Sequence, residues 1–143
     1  MFLGTYEHAI DDKGRITIPA KYRSRYESGA VLTEGIERCL YLFPIDVWTD
    51  LAQRASALPL TNPTAREFQR QLFGGASDSV PDKQGRIILP SHLREYANID
   101  NQAVIIGMYS RCEIWSSESL RERKEERASD SESRAADYAG LGI

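Results

Sequence analysis

The stretch that decides the fold is present twice in this chain of 143 residues. It first reads Asp11-Asp12-Lys13-Gly14-Arg15-Ile16-Thr17-Ile18-Pro19, and 71 positions later it returns as Asp82-Lys83-Gln84-Gly85-Arg86-Ile87-Ile88-Leu89-Pro90. Each copy has an acid, a glycine turn, an arginine, a short β-branched run and a closing proline. A unit duplicated within one chain predicts a pseudo-twofold molecule that presents a doubled surface to its partner.

The duplication extends over most of the chain and predicts its organisation. Phe2 and Gly4 match Phe73 and Gly75 at the same offset, and Cys39 matches Cys112 after two residues have been gained in a loop. We therefore expect a first repeat over residues 1–60, a connecting helix over 61–72, a second repeat over 73–128 and a flexible tail over 129–143.

Each copy predicts the same series of elements. The β-branched run after the glycine predicts a strand, and the proline that ends it favours the first turn of a short helix. The short helices are expected at Ala20–Tyr26 and Ser91–Ala97, and two more strands per copy at Ala30–Thr33, Cys39–Phe43, Ala103–Ile106 and Cys112–Trp115. Longer helices are expected from Pro44, from Asn62-Pro63 to Gly74-Gly75, and from Ser117 through Arg121–Arg127.

Composition indicates an ordinary globular protein. Hydrophobic residues make up 41% of the chain, enough for one core or for two halves that share one. No stretch is long and apolar enough for a membrane span, so we expect a cytoplasmic protein without membrane contacts. In that compartment Cys39 and Cys112 are expected to be reduced thiols in the core.

The charge distribution bears on binding to nucleic acid, because phosphates require a positive surface. The net charge is −3, which by itself argues against such a partner. Acidic residues are concentrated after Glu118, however, and the repeated motif is locally basic. The basic residues near the two motifs are Lys13, Arg15, Lys21, Arg23 and Arg25, and more weakly Lys83, Arg86 and Arg94.

The Asp-x-x-x-Arg spacing around a glycine turn is expected to put a carboxylate and a guanidinium on the two legs of one hairpin, within reach of each other. We expect ion pairs between Asp11 and Arg15 and between Asp82 and Arg86. An arginine held in one rotamer loses less entropy when it meets a phosphate or the O6 and N7 atoms of guanine. Gly14 and Gly85 leave room at these turns for a close approach.

Other interpretations of these residues remain open. Such a turn is common as plain local structure, and only its duplication favours a binding site. Tyr22 and Tyr26 are better explained as core residues than as stacking groups. A second class of function is a protein-interaction module, antitoxin-like or a ring scaffold, in which the charged helix Glu118–Arg127 and the tail bind a partner.

Catalysis has little support in the sequence. The two histidines, His8 and His92, do not occupy matching positions of the repeat. No metal-binding motif, phosphate-binding P-loop or dinucleotide fingerprint is present. We therefore predict a protein that is not an enzyme and that uses no metal and no cofactor.

The motifs together resemble the MraZ family of bacterial regulators over essentially the whole chain. The resemblance is carried by the opening Met-Phe-Leu-Gly-Thr-Tyr, the two Asp-x-x-Gly-Arg turns, the Ile-Pro-Ala-Lys-Tyr-Arg segment and the central Leu-Pro-Leu-Thr-Asn-Pro-Thr-Ala-Arg. It implies an α+β fold: an internally duplicated, β-rich, swapped-hairpin (AbrB-like) double barrel with flanking helices, in which hairpins of the two copies interlock.

The resemblance also implies a function. Members of the family regulate transcription by binding short direct repeats in double-stranded DNA upstream of their own operon, in the division and cell-wall gene cluster, commonly as repressors. They assemble into homo-oligomeric rings, and a location at the nucleoid follows. The paired elements would be Asp11, Lys13, Gly14 and Arg15, and Asp82, Lys83, Gly85 and Arg86, with Lys21, Arg23 and Arg25 on phosphates. Gln84 stands where the first copy has Lys13, so we expect the first copy to supply more phosphate affinity.

Overall fold

The computed structural model describes residues 1–143 and contains eight strands and six α-helices. The strands are β1 (Thr5–Ala9), β2 (Arg15–Thr17), β3 (Ala30–Glu34), β4 (Leu40–Pro44), β5 (Ser77–Ser79), β6 (Arg86–Ile88), β7 (Gln102–Gly107) and β8 (Cys112–Ser116). The helices are α1 (Arg23–Tyr26, after a 3₁₀ turn at Ala20–Tyr22), α2 (Ile45–Ser56), α3 (Pro63–Gly74), α4 (Ser91–Tyr96), α5 (Ser117–Ala128) and α6 (Ser131–Ala139). The predicted strands and helices are all present, whereas β1, β5 and α6 were not predicted from the patterns.

The two copies exchange strands. Six strands form one antiparallel sheet in the order β1-β7-β8-β4-β3-β5, and β2 and β6 form a separate two-stranded ribbon. The first strand of each copy, β1 or β5, therefore pairs with the third strand of the other copy, β7 or β3. The predicted α+β class, the duplication and the interlocked pairing are confirmed.

One local detail differs from the sequence analysis. The segments before and after each glycine turn were expected to be two legs of one hairpin. Instead β1 pairs with β7 in the large sheet, whereas β2 pairs with β6 in the ribbon. The turn thus connects two different sheets, because the residues that complete each ladder come from the other copy.

A single core lies between the two copies. Eighteen buried residues form it, and matching positions of both copies contribute, such as Ile16 with Ile87 and Ile18 with Leu89. Tyr22 and Tyr26 are also fully buried there, as predicted, and the Tyr26 hydroxyl donates to the Leu42 carbonyl at 2.9 Å. Neither copy therefore encloses a complete core of its own, and the two folded halves depend on each other.

The cysteines are buried free thiols, as expected from their position in apolar strands. Cys112 belongs to the main core, and Cys39 belongs to a smaller cluster with Val104, Trp115 and Leu120 beneath α5. Burial raises the pKa of Cys39 to about 12 and that of Cys112 to about 11, so both remain protonated at neutral pH.

The connecting and terminal segments lie outside the shared core. The helix predicted between the copies is α3, which begins after Asn62, whose side chain accepts from the backbone N–H groups of Thr64 and Ala65. The predicted flexible tail, residues 129–143, contains α6, which has no buried residue. Its flexibility and the proposed repeat boundaries remain predictions. No helix has the length and apolar content that crossing a membrane requires.

Candidate nucleic-acid interface

The first turn is organised by the carboxylate of Asp11. Its Oδ1 accepts from the backbone N–H groups of Lys13 and Arg15, at 3.0 and 2.8 Å, and its Oδ2 accepts from Arg15 Nε at 2.7 Å. The Gly14 N–H donates to the Asp11 carbonyl, and Gly14 has a φ of 77°, a conformation that costs a glycine little. The spacing therefore produces the predicted ion pair within a closed turn.

The second turn repeats this geometry. Asp82 Oδ1 accepts from the N–H groups of Gln84 and Arg86, both at 2.9 Å, and Oδ2 accepts from Arg86 Nε at 2.7 Å. Gly85 has a φ of 76°. The lysine at position 13 and the glutamine at position 84 contribute only their backbone N–H groups to these turns, so their exchange leaves the backbone unchanged.

The two carboxyl groups are held in the ionised form. The pKa of Asp11 lies below its usual value, chiefly because the Arg15 backbone N–H donates to it, with the Arg15 side chain adding to the effect. The pKa of Asp82 is lowered in the same way by Arg86. Each arginine therefore faces a permanent negative charge at neutral pH.

The outer ends of the two guanidiniums are available to a ligand. Arg15 and Arg86 each use Nε for the carboxylate, while their Nη atoms make no hydrogen bond within the chain. Their side chains are 24% and 30% exposed, respectively. A half-buried arginine fixed at Nε presents its two Nη groups in a defined direction, which suits bidentate recognition.

The ribbon places both arginines on one face. Arg15 is opposite Ile88 and Arg86 is opposite Thr17, while Ile16 and Ile87 form the central pair. Since cross-strand partners share a face and neighbours along a strand alternate, these four residues point away from the core. We call Arg15, Thr17, Arg86 and Ile88 the ribbon face. Ile88 is 60% exposed on it, whereas Ile16 and Ile87 are buried beneath.

The interlock also joins each turn to the opposite copy. The Ile18 N–H donates to the Gly85 carbonyl, and the Leu89 N–H donates to the Gly14 carbonyl, both at 2.8 Å. Each glycine turn is thereby attached to the strand end of the other repeat. The two turns form one composite site rather than two separate ones.

Two further arginines lie directly behind these contacts. Arg23 Nε donates to the Ile18 carbonyl, and Arg94 Nε donates to the Leu89 carbonyl, both at 2.9 Å. The sequence assigned Arg23 to phosphate and identified Arg94 only as part of a basic cluster. The signal that could have paired them is the offset of 71, at which Arg94 matches Arg23.

The other predicted binding residues lie at different distances from the turns. Lys13 and Lys83 are exposed at the two turns themselves. Lys21 lies over the ring of Tyr6, with Nζ 5.1 Å from its centre. Arg25 contacts Asp46 at 3.3 Å, at the start of α2. The structure thus gathers the two motifs into one site but engages Lys21 and Arg25 in contacts of their own.

Sequence comparison places the chain in a known family. A family model described as "MraZ protein, putative antitoxin-like" matches it twice, over residues 1–71 and 72–139. The chain belongs to the MraZ family. The resemblance inferred from the motifs is confirmed, and the two matches divide the chain at the duplication.

Relatives within this family are similar over most or all of their length. The protein named transcriptional regulator MraZ from Herpetosiphon aurantiacus is 50% identical over 143 residues, which is 100% of each chain. Its namesake from Thermomicrobium roseum is 45% identical over 141 residues, covering 99% of each chain. That from Roseiflexus castenholzii is 52% identical over 116 residues, 81% of each chain.

Proposed function

We propose that this MraZ-family chain is a transcriptional regulator that binds double-stranded DNA in a sequence-specific manner and represses its own operon in the division and cell-wall gene cluster. The observation that carries the proposal is the ribbon face, on which two arginines, each held by a carboxylate, occupy diagonal positions. The names of the relatives support the regulatory role. The absence of a repeated acid–base or nucleophile–base pair in the sequence agrees with a function that is not enzymatic.

The ribbon face suits the major groove of DNA. That groove admits a two-stranded β-ribbon, and a guanidinium can donate to guanine O6 and N7 at once. With Nε bound to Asp11 or Asp82, the Nη groups of Arg15 and Arg86 remain for this contact. Ile88 offers apolar surface of the kind that contacts a thymine methyl group.

Phosphate contacts would supply most of the affinity. Lys13 and Lys83 are exposed at the two turns and would flank the groove, while Lys21 and Arg25 would reach phosphates farther along. Gln84 stands where the first copy has Lys13, so the first copy would contribute more to phosphate binding. These contacts would let a chain with a net charge of −3 bind a polyanion locally.

Assembly into a ring would match the protein to direct repeats. Subunits around a closed ring all face the same way, so successive subunits read repeats in one orientation, spaced by about one helical turn of roughly 10 bp. One subunit binds weakly, and several bound together gain from effective concentration. Such a complex acts in the cytoplasm at the nucleoid and needs neither metal nor cofactor.

The test compares a proposed base contact, Arg15, with a proposed phosphate contact, Lys21, in the same assay. Binding to the DNA directly upstream of this gene is measured by gel-shift titration at several salt concentrations. Arg15→Ala should cost about 1–3 kcal/mol per contact and alter sequence preference, whereas Lys21→Ala should weaken binding to all sequences and flatten the salt slope by about one. Equal binding of wild type and Arg15→Ala to this DNA would contradict the assignment.

A further inference from the structure

Each turn is supported by an arginine from the other repeat. Arg23 belongs to the first copy, yet it packs directly against Gly85 of the second: a methyl group added to Gly85 would overlap its Nε and lie 2.7 Å from its Cδ. Arg94 belongs to the second copy and lies over Gly14 of the first, where an added methyl group would be 3.4 Å from its Cζ. Both arginines therefore contact the turn to which they are not connected in sequence.

Hydrogen bonds link these arginines to the turns as well. Arg23 Nε donates to the carbonyl of Ile18, and the backbone N–H of Ile18 donates to the carbonyl of Gly85. Gly85 precedes Arg86, whose guanidinium is bound to Asp82. Only two hydrogen bonds and one backbone step thus separate the Arg23 guanidinium from the residue proposed to read a base. Arg94 reaches Arg15 in the same way through Leu89 and Gly14.

We infer that Arg23 and Arg94 are positioning residues that act in trans: Arg23 fixes the orientation of Arg86, and Arg94 fixes that of Arg15. This inference rests on the proposed function for its DNA readout, and it replaces the expected contact of Arg23 with a phosphate. Each of these arginines has its Nε hydrogen-bonded and its side chain packed on a glycine, so it loses little conformational entropy when DNA binds. Its contact also restricts the motion of the turn that it covers.

The two roles predict different behaviour in a specificity assay. A phosphate contact carries no sequence information, so its loss weakens all sites alike. A positioning residue changes the readout of the arginine that it supports. Arg23→Ala should therefore relax the sequence preference at the same base positions as Arg86→Ala. Arg94→Ala should relax it at the same positions as Arg15→Ala.

The experiment uses the full chain and a set of duplexes from the DNA upstream of its gene, each with one base pair changed. Competition binding is measured for the wild type, the four single alanine variants and the double variants. We expect the loss from Arg23→Ala to be several-fold smaller when Arg86 is already alanine, and unchanged when Arg15 is alanine. Arg23→Lys should behave like Arg23→Ala, because the charge alone does not supply the Nε contact.

A second measurement tests the contact without DNA. Gly85→Ala and Gly14→Ala face equal backbone strain, at φ of 76° and 77°, but only the former meets Arg23 in overlap. Gly85→Ala should lower the denaturation midpoint more than Gly14→Ala, and Arg23→Ala should abolish that difference. This comparison remains valid if a turn variant binds no DNA.

The outcomes separate the inference from the function on which it rests. If Arg15→Ala and Arg86→Ala leave binding and specificity unchanged, the proposed function fails. If those variants act as expected but Arg23→Ala weakens every duplex equally, lowers the salt slope by about one and is rescued by lysine, Arg23 is a phosphate contact and the inference alone is overturned. The inference would also be overturned if Arg23→Ala relaxed the sequence preference at the positions read by Arg15.

Discussion

At the scale of single residues, the carboxylates of Asp11 and Asp82 shape the site more than they stabilise the fold. Each accepts two backbone N–H groups and one arginine Nε within a single turn. Exposed ion pairs contribute little to the free energy of unfolding, since solvent screens them. Their main effect here is therefore to fix the direction of the guanidinium of Arg15 or Arg86.

The lowered pKa values of these carboxyl groups predict a dependence of stability on pH. A carboxyl whose pKa is lower in the folded than in the unfolded chain stabilises the fold above its unfolded pKa, and this contribution is lost as the pH falls through the folded pKa. Urea denaturation from pH 6 to pH 3 should show a smaller loss of stability in the Asp11→Asn, Asp82→Asn double variant than in the wild type. The usual pKa of 3.8 sets where the curves begin to converge.

Asp12 provides the matched control for this experiment. It neighbours Asp11 in sequence but is exposed, and its side chain makes no hydrogen bond or ion pair. The Asp12→Asn variant should follow the wild type across the same range. Parallel pH curves for the double variant and the wild type would show that the turns do not hold these carboxylates ionised.

Contacts within a turn were predictable from sequence, whereas contacts between copies were not. The pairs Asp11–Arg15 and Asp82–Arg86 follow from a spacing of four residues around a glycine. The contact of Arg23 with Gly85 depends on how two distant segments interlock, and no local spacing encodes that. Its equivalence with Arg94 could nevertheless be read from the repeat.

At the scale of elements, the ribbon of β2 and β6 divides two chemistries between its faces. One face is buried in the shared core and the other carries the half-buried arginines. A three-residue strand has few ladder hydrogen bonds of its own, so its position depends on the apolar face. The orientation of the ribbon face is therefore set by the packing beneath it.

Adjacent isoleucines of β6 test this division. Ile87 is 3% exposed and Ile88 is 60% exposed. Ile87→Ala should lower the free energy of unfolding by about 2–5 kcal/mol because it leaves a cavity in the core. Ile88→Ala should change it by about 0.5 kcal/mol or less. Similar losses for the two variants, measured by chemical denaturation, would mean that Ile87 and Ile88 do not lie on a buried and an exposed face of the ribbon.

The elements themselves were largely predictable, but their partners were not. β-branched runs, prolines and apolar stripes locate the strands and helices within a few residues. Pairing of β1 with β7 joins segments about a hundred residues apart, and periodicity does not specify it. The duplication can also mislead: Phe2 aligns with Phe73, yet Phe2 stacks on Tyr26 in the core and Phe73 packs against Trp48 outside it.

At the scale of the whole molecule, the acidic tail lies outside the apolar clusters and apart in sequence from the two turns. The net charge of −3 includes the carboxylates of the tail, and α6 has no buried residue. Neither apolar cluster contains a residue beyond Leu120. The tail can therefore be removed without opening the core.

Deletion of residues 129–143 distinguishes the proposed function from a partner-binding role of the tail. It removes three carboxylates and one guanidinium, so the remaining chain is less acidic. Affinity for the upstream DNA should be equal or higher, with an unchanged salt slope and sequence preference. A truncated chain that is folded but no longer binds would show that the tail, rather than the two turns alone, is required.

The central claim is that Arg15 and Arg86 read guanines from one face in the major groove, and guanine N7 chemistry tests it most directly. Dimethyl sulfate footprinting of the upstream DNA should show N7 protection by the wild type at repeated positions. Arg15→Ala and Arg86→Ala should each lose protection at a different guanine within every repeat. Absence of N7 protection, or the same pattern for the wild type and both variants, would contradict the account.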